Sequence, residues 1–487
     1  MKLNDNAQRP LPLIIQGGMG IGVSNWKLAR AVSKCGQLGV VSGTALNSIL
    51  VRRLQSGDED GSMRHALAHY PQPAAAQRIV DRYFIPGGKA SVQRYRMAPV
   101  YSQIPADDLV ELTVMANFAE VFLAKEGHTG LIGINLLEKI QMPTLGSLFG
   151  AMLAGVDYVL MGAGIPRAIP GVLDQLAAWE KVALKLDVDG ATAGQVRMVD
   201  FDPTAFFPES RPSLRRPAFL AIVSSATLAM TLARKSSGRV DGFVVEGLSA
   251  GGHNAPPRGG MQLNEQGEPI YGPRDQPNLE TIRGLGLPFW LAGSYASPDK
   301  LREAKAAGAT GVQIGTAFAF CEESGLQEEL KQEVIRKSRA GDINLLTDPR
   351  ASPTGLPFKV VDLDSTVSNP TVYQERARIC DLGYLRQPYE RADGTLGYRC
   401  PAEPEEAYLG KGGSEADAMG RKCLCNGLLA AIGLGQATDP THQEPAIVTA
   451  GEDVAFLERF FLPGENSYRA ADVLGYMMEV SRAGEKG

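Results

Sequence analysis

Short apolar segments, most of them followed by a helical pattern, recur along this 487-residue chain. They cover residues 13–16, 38–41, 131–137, 158–161, 219–224, 240–246, 288–292 and 311–315. A strand that is followed by a helix and a second strand is the unit of a parallel sheet. Eight such units predict an α/β fold, the TIM (β/α)8 barrel, and a doubly wound sheet is the alternative.

The spacing of these units also predicts the organisation of the chain. Residues 1–344 are expected to form the barrel, widened by an inserted segment at about 50–127 that ends in a long buried helix over 107–127. Ser24 is expected to cap the first helix. Residues 345–487 are less regular and are interpreted as a C-terminal extension.

Composition excludes several kinds of partner. The net charge is −5, and no basic run offers a surface for nucleic acid. The N-terminus lacks the apolar core of a signal peptide, and no stretch of about 18 apolar residues occurs that would span a membrane. We therefore expect a cytoplasmic protein that acts on a small-molecule substrate, and the sequence leaves homo-oligomerisation open.

The segment 240–260 carries the first candidate site. An apolar strand, 240–246, ends in Glu246 and is followed by the tripeptide Gly251, Gly252, His253. Parallel barrels place their chemistry after the C-terminal ends of the strands, and glycines let a flat ligand approach the backbone. His253 and Glu246 are therefore candidate catalytic residues, with a satisfied loop histidine and a structural carboxylate as the alternatives.

Two further strand ends predict a phosphate site. The loops after the seventh and eighth strands of a TIM barrel commonly bind phosphate through backbone N–H groups and a helix N-terminus. Turn chemistry alone would also explain either loop. The candidate residues are Gly293, Ser294, Gln313, Ile314, Gly315 and Thr316.

Four stretches carry a family resemblance. They are QGGMGIGVSNWKLARAVSKCGQLGVVSG, GINLL, VVEGLSAGGH and WLAGSYASPDKLREAKAAGATGVQIGTAF. Over roughly residues 11–325 they resemble the nitronate monooxygenase (2-nitropropane dioxygenase) family, which also contains the flavin-type enoyl-acyl-carrier-protein reductases.

The resemblance implies an FMN-dependent TIM barrel with His253 as the active-site histidine. It implies that the phosphate is held by the residues just named after the seventh and eighth strands. It further implies contacts to the flavin from Gln16, Gly17, Gly18, Met19, Asn135, Gly251 and Gly252.

Two departures from the family bear on the reaction. Typical nitronate monooxygenases have Gln where this chain has Glu246, and many members have Gly at Ser294. The leading prediction is an FMN oxidoreductase of the nitronate monooxygenase type. The alternatives are an NAD(P)H-dependent enoyl-thioester reductase, like the trans-acting reductases that this chain resembles in size, and a flavin-binding component of a larger synthase.

Six cysteines are too few for a disulfide framework, and four of them lie close together in sequence. Cys380, Cys400, Cys423 and Cys425 have polar neighbours, and four thiolates can bind zinc or an iron–sulfur cluster. A metal site at these four residues is one prediction, and scattered reduced thiols are the other. Cys35 and Cys321 are expected to be structural, with Cys35 in the core.

Overall fold

The computed structural model describes residues 11–192, 194–207, 211–437 and 443–479. Its strands are β1 (Ile14–Gln16), β2 (Gly39–Ser42), β3 (Ile132–Leu137), β4 (Tyr158–Gly162), β5 (Val182–Leu186), β6 (Arg197–Phe201), β7 (Ala218–Val223), β8 (Gly242–Glu246), β9 (Gly252–His253), β10 (Phe289–Ala292), β11 (Gly311–Ile314), β12 (Leu345–Asp348), β13 (Phe358–Val361), β14 (Gln387–Glu390) and β15 (Leu396–Arg399).

Eight of these strands form one parallel sheet in the order β1-β11-β10-β8-β7-β4-β3-β2. The two ends of the sheet meet, because Ile15 bridges Leu38 and the Gln16 backbone N–H donates to the Leu38 carbonyl at 2.9 Å. The predicted TIM barrel is thereby confirmed, and all eight predicted strands lie in it.

Helices surround the barrel and extend beyond it. They are α1 (Trp26–Lys34), α2 (Leu46–Gln55), α3 (Ser62–Ala68), α4 (Pro73–Tyr83), α5 (Asp107–Lys125), α6 (Thr144–Leu153), α7 (Ile169–Ala177), α8 (Pro203–Phe206), α9 (Ala226–Lys235), α10 (Leu279–Arg283), α11 (Pro298–Ala306), α12 (Thr316–Ala319), α13 (Glu328–Ala340), α14 (Pro370–Glu375), α15 (Glu405–Gly410), α16 (Glu415–Ala418), α17 (Leu424–Ala431) and α18 (Ala470–Met477). Short 3-10 segments cover Pro273–Asp275 and Glu452–Phe460.

The start of α1 differs from the prediction. Asn25, not Ser24, caps this helix by accepting the Leu28 N–H at 2.9 Å. Ser24 lies one residue earlier, and its hydroxyl accepts the Met19 N–H at 2.9 Å and donates to the Gly17 carbonyl. The Ser24 hydroxyl thus stabilises the glycine-rich turn after β1 and not the first turn of α1.

Alternation along the strands separates two layers of the core. Phe243 and Val245 of β8 face the surrounding helices, whereas Val244 faces the barrel interior. Side chains two positions apart share a face, so each strand contributes in turn to a stack of layers. The interior layer is Ile15, Leu38, Val40, Leu160, Leu220, Val244, Trp290 and Ala292.

Antiparallel pieces cover the barrel. β5 and β6, which fall in a region that the sequence left unassigned, form a two-stranded sheet. β12, β13 and β9 form a three-stranded sheet in which Phe358 pairs with His253. The C-terminal residues therefore bond directly to the loop after β8. No helix in the described ranges is long and apolar enough to cross a membrane.

Replacing Gly311 with Ala is expected to destabilise the barrel where β11 meets β1. A Cβ at this position would lie 1.8 Å from the Leu13 carbonyl oxygen, a backbone atom that cannot rotate away. We expect a loss of about 1–3 kcal/mol in the free energy of unfolding, measured by urea denaturation. The control is Gly475→Ala in α18, which meets no atom within 4 Å and should be neutral or slightly stabilising. Equal stability of the two variants would contradict this close approach.

Candidate active site at the C-terminal end of the barrel

A cavity of about 230 Å³ lies above the interior layer of the barrel. Its floor is made by the residues that come next on the inward faces of the strands, at their C-terminal ends. These residues are Gly17, Ser42, Asn135, Gly162, Ile222, Glu246 and Gln313, and Ala292 of the interior layer also lines the cavity.

The glycine-rich turn after β1 forms one wall. A Cβ on Gly18 would lie 2.3 Å from the Asn135 Cβ, so only glycine fits beside this side chain. Asn135 Nδ2 donates to the Gly18 carbonyl at 3.0 Å, while its Oδ1 is buried and has no partner in the described part of the chain. Gly17 and Met19 also line the cavity.

Gln16 takes a different place from the other predicted flavin contacts. Its side chain is buried in the barrel wall, where Oε1 accepts the Val40 N–H at 2.9 Å and Nε2 donates to the Ser24 hydroxyl at 2.8 Å. With its polar atoms used in this way, Gln16 holds β1 against β2 and does not line the cavity.

The predicted phosphate residues follow β10 and β11 and lie on the wall next to the glycine-rich turn, since β11 pairs with β1. Gly293 and Ser294 both have positive φ, at 95° and 55°, and the strained backbone at Ser294 explains why glycine also suits this position. The Ser294 Oγ and the Gln313 Oε1 are buried and have no partner among the described residues. The Thr316 hydroxyl accepts the Gly451 N–H at 2.8 Å. Ile314 and Gly315 line the cavity beside them.

His253 lies on β9 with its ring edge-on to Phe358, the centroids 4.9 Å apart. Its Nε2 is 2.7 Å from the Ser352 hydroxyl. Burial lowers the pKa of His253 to about 4, so the imidazole is neutral at pH 7. Gly251 and Gly252 line the cavity next to it.

Glu246 reaches the cavity from the end of β8. Burial raises its pKa from 4.5 to about 7, opposed by the positive charge of Lys359. The buried Lys359 ammonium donates to the Leu248 carbonyl at 3.0 Å. A carboxyl that is partly protonated near neutral pH can both donate and accept a proton.

Glu246→Gln is expected to change how stability depends on pH. The folded protein keeps this proton to a higher pH than the unfolded chain, so the carboxyl lowers stability increasingly as pH rises from 4.5 to about 7. Gln does not titrate, so the stability of the variant relative to the parent should rise across that window. Urea denaturation at several pH values measures this difference, and a difference that stays constant with pH would contradict the raised pKa.

The C-terminal part of the chain closes the cavity, which was not predicted. The Gly252 N–H donates to the Thr449 hydroxyl at 2.8 Å, and the Glu452 N–H donates to the Ser249 carbonyl at 3.1 Å. The apolar run that precedes Gly451 resembles the strand ends of the barrel, and this pattern could have indicated that the segment lies at the site. The C-terminal lining residues are Phe358, Tyr384, Leu385, Leu424, Cys425, Leu428, Ala431, Ile447, Val448, Thr449, Ala450, Gly451 and Asp453.

The four C-terminal cysteines share a second, small cavity. Within the described ranges, however, no group of three or more His, Cys, Asp or Glu side chains is placed to hold a metal ion. Burial raises the pKa of the Cys380 thiol to about 12 and also raises those of Cys400, Cys423 and Cys425, so these side chains are protonated thiols near pH 7. The predicted metal site at Cys380, Cys400, Cys423 and Cys425 is therefore not supported.

The two remaining cysteines differ from each other. Cys321 is fully buried, as expected of a structural residue. Cys35 was expected in the core but is exposed, because it is the C-terminal cap residue of α1.

Comparisons with known proteins show what this chain is similar to. The family model described as nitronate monooxygenase matches residues 168–354. A dehydrogenase of Mycobacterium tuberculosis that acts on a hydroxy-methyl-oxo-octahydroindene-carboxyl-CoA is 25% identical over 44% of this chain and 61% of its own length. A nitronate monooxygenase of Pseudomonas aeruginosa is 31% identical over 29% of this chain and 38% of its own length.

Among solved structures, FabK from Thermotoga maritima is similar with a TM-score of 0.46 and 14% identity, covering 96% of this chain and 92% of that one. The matches to the Mycobacterium tuberculosis dehydrogenase and the Pseudomonas aeruginosa nitronate monooxygenase each span less than two thirds of that relative's length. The family match confirms the resemblance predicted from the glycine- and histidine-bearing motifs, and it covers residues 168–354 of this chain.

Proposed function

We propose that this protein is an FMN-dependent oxidoreductase of the nitronate monooxygenase type. The observation that carries the proposal is the convergence of unpaired polar atoms in one cavity at the C-terminal end of the barrel. Asn135 Oδ1, Ser294 Oγ and Gln313 Oε1 are each buried without a partner in the described residues. Buried polar atoms normally have a hydrogen-bond partner, so these three are placed to bind a polar ligand.

The residues around the cavity fit a flavin mononucleotide. Gly17 and Gly18 offer backbone without side chains, and a Cβ on Gly251 would strike the Ala450 carbonyl carbon at 2.6 Å. These surfaces would hold the flat ring system. The phosphate would be held by the loops at Gly293–Ser294 and Gly315–Thr316, where neutral donors suit an anion and α11 begins nearby at Pro298.

FMN, when bound, supplies the electron transfer that no side chain of this chain can perform. The protein supplies position and polarity. His253 is neutral and lies in the cavity wall, so it can orient an oxygen atom of the substrate without adding a positive charge. Glu246, with its pKa near 7, can give or take a proton beside it.

A second candidate, reduction of an enoyl thioester, is favoured by the shape of the C-terminal wall. Leu385, Leu424, Leu428 and Ile447 present apolar surface to the cavity, and a small nitronate has little use for it. An acyl chain would bury that surface, which is worth about 25 cal/mol per Å². In that case NAD(P)H would be the reductant, and the protein could act as the flavin component of a larger synthase.

Anaerobic absorption spectroscopy tests the proposal. The protein, loaded with FMN, is mixed in turn with propane-2-nitronate, NADH and NADPH. Bleaching of the flavin bands by the nitronate supports the leading function. Bleaching only by NADH or NADPH supports the enoyl reductase. A flavin that none of the three reduces would contradict both.

A further inference from the structure

We propose that Ser352 and Thr354 form a hydroxyl relay that holds His253 as the tautomer with its proton on Nδ1. The relay makes His253 a hydrogen-bond donor toward the cavity. Both hydroxyl residues lie in the C-terminal part of the chain, outside every motif that suggested the site. The inference assigns positioning residues to the site of the proposed function, and it rests on that function for its catalytic consequence.

Distances define the relay. His253 Nε2 lies 2.7 Å from Ser352 Oγ, and Ser352 Oγ lies 2.8 Å from Thr354 Oγ1. The Thr354 backbone N–H also donates to Ser352 Oγ at 3.2 Å, and the Leu356 N–H donates to Thr354 Oγ1 at 3.4 Å. Ser352 is fully buried, so no solvent competes for its hydroxyl.

The count of protein donors and acceptors favours one direction of the relay. Two backbone N–H groups donate to the relay: that of Thr354 to Ser352 Oγ and that of Leu356 to Thr354 Oγ1. If the Thr354 hydroxyl donates to Ser352, the Ser352 hydroxyl proton is left with His253 Nε2 as its acceptor. Every hydroxyl proton then has a protein partner. In the opposite direction the Thr354 hydroxyl proton would have no protein acceptor among the described residues.

Only one ring nitrogen of His253 carries a proton near pH 7, because burial keeps the imidazole neutral. If Nε2 accepts from Ser352, that proton is on Nδ1. Within the described residues Nδ1 makes no hydrogen bond to protein, and His253 lines the cavity. Pairing of β9 with β13 and the edge contact with Phe358 fix the ring plane.

A fixed Nδ1–H suits one class of substrate group. It donates to an oxygen that carries or gains negative charge, such as a nitronate oxygen or a thioester carbonyl. The same nitrogen cannot remove a proton from carbon. Under the proposed function, His253 therefore orients and stabilises, and proton removal falls to another group.

Neutron crystallography or long-range ¹H–¹⁵N NMR of histidine-labelled protein tests the tautomer directly, with His253→Gln to assign the signal. The wild type should show a protonated Nδ1 and an unprotonated Nε2. Ser352→Ala and Thr354→Val should give a mixture of tautomers, and Thr354→Ser, which keeps the hydroxyl, should restore the Nδ1–H form. Ser365→Ala, at an exposed serine outside the cavity, is the matched control and should match the wild type.

Kinetics supply the second readout. Ser352→Ala should lower kcat about tenfold to a hundredfold with a smaller change in KM, the usual cost of losing a group that orients a catalytic side chain. A wild-type protein with its proton on Nε2 would overturn the relay, whatever the enzyme turns over. Conversely, a protonated Nδ1 in a protein that neither nitronate nor NAD(P)H reduces would overturn the proposed function and leave the relay intact.

Discussion

Replacing His253 with Ala should lower kcat by about 10²- to 10⁴-fold, the range of a positioned side chain that acts on the reacting group. FMN should remain bound, because the groups proposed to hold it are glycine backbone and the loops after β10 and β11, and the His253 side chain is not one of them. Anaerobic stopped-flow reduction by nitronate, followed at the flavin bands, measures the chemical step separately from binding.

The control for this variant is His65→Ala. His65 lies on α3 with its side chain 46% exposed and pairs with Glu126, and neither of these residues lines the cavity. It should leave both turnover and flavin content unchanged. An unchanged rate in His253→Ala would contradict a catalytic role for the histidine, and loss of FMN from that variant would show that its role is structural.

Replacing Arg376 with Met should lower the free energy of unfolding by about 3–5 kcal/mol, the cost of leaving one member of a buried ion pair alone. Arg376 and Glu444 lie 2.6 Å apart with side chains only 2% and 1% exposed. Burial already raises the pKa of Glu444 to about 7, and Arg376 opposes that rise. Without Arg376 the pKa of the carboxyl rises further, so the loss should be larger at pH 8 than at pH 5.

The pair has a functional consequence because Glu444 lies just before the segment Ile447–Asp453 that walls the cavity. Arg376→Met should therefore weaken FMN binding as well as stability. Urea denaturation and flavin fluorescence measure the two effects. Arg82→Met breaks the half-exposed pair with Asp108 and should change stability little. A similar loss in both variants would contradict the importance of burial.

The barrel was predictable because its strands carry a local signal. Several strands place a small or polar residue two positions beyond an apolar one on the inward face, as with Val244 and Glu246 on β8. Such alternation can be recognised directly from consecutive residues in the sequence. The same holds for the candidate site, since Gly18, Asn135, Ser294 and His253 all lie at strand ends and line one cavity.

The C-terminal wall of the cavity could not be predicted from such local patterns. Its contacts join residues far apart in sequence, such as Gly252 with Thr449 and His253 with Ser352, and no periodicity records such pairs. The burial of the cysteines could not be predicted for a related reason. Polar neighbours in sequence argued against a core position, but Cys400 and Cys425 are buried at 6% and 7% exposure.

The flavin content of the purified protein tests the central claim most directly. The protein is reconstituted with excess FMN, passed through a desalting column and denatured, and the released chromophore is identified by chromatography. We expect about one FMN for each chain, with the flavin fluorescence quenched while it is bound. A chain that folds with its barrel intact and retains no FMN would contradict the assignment of the cavity as a flavin site.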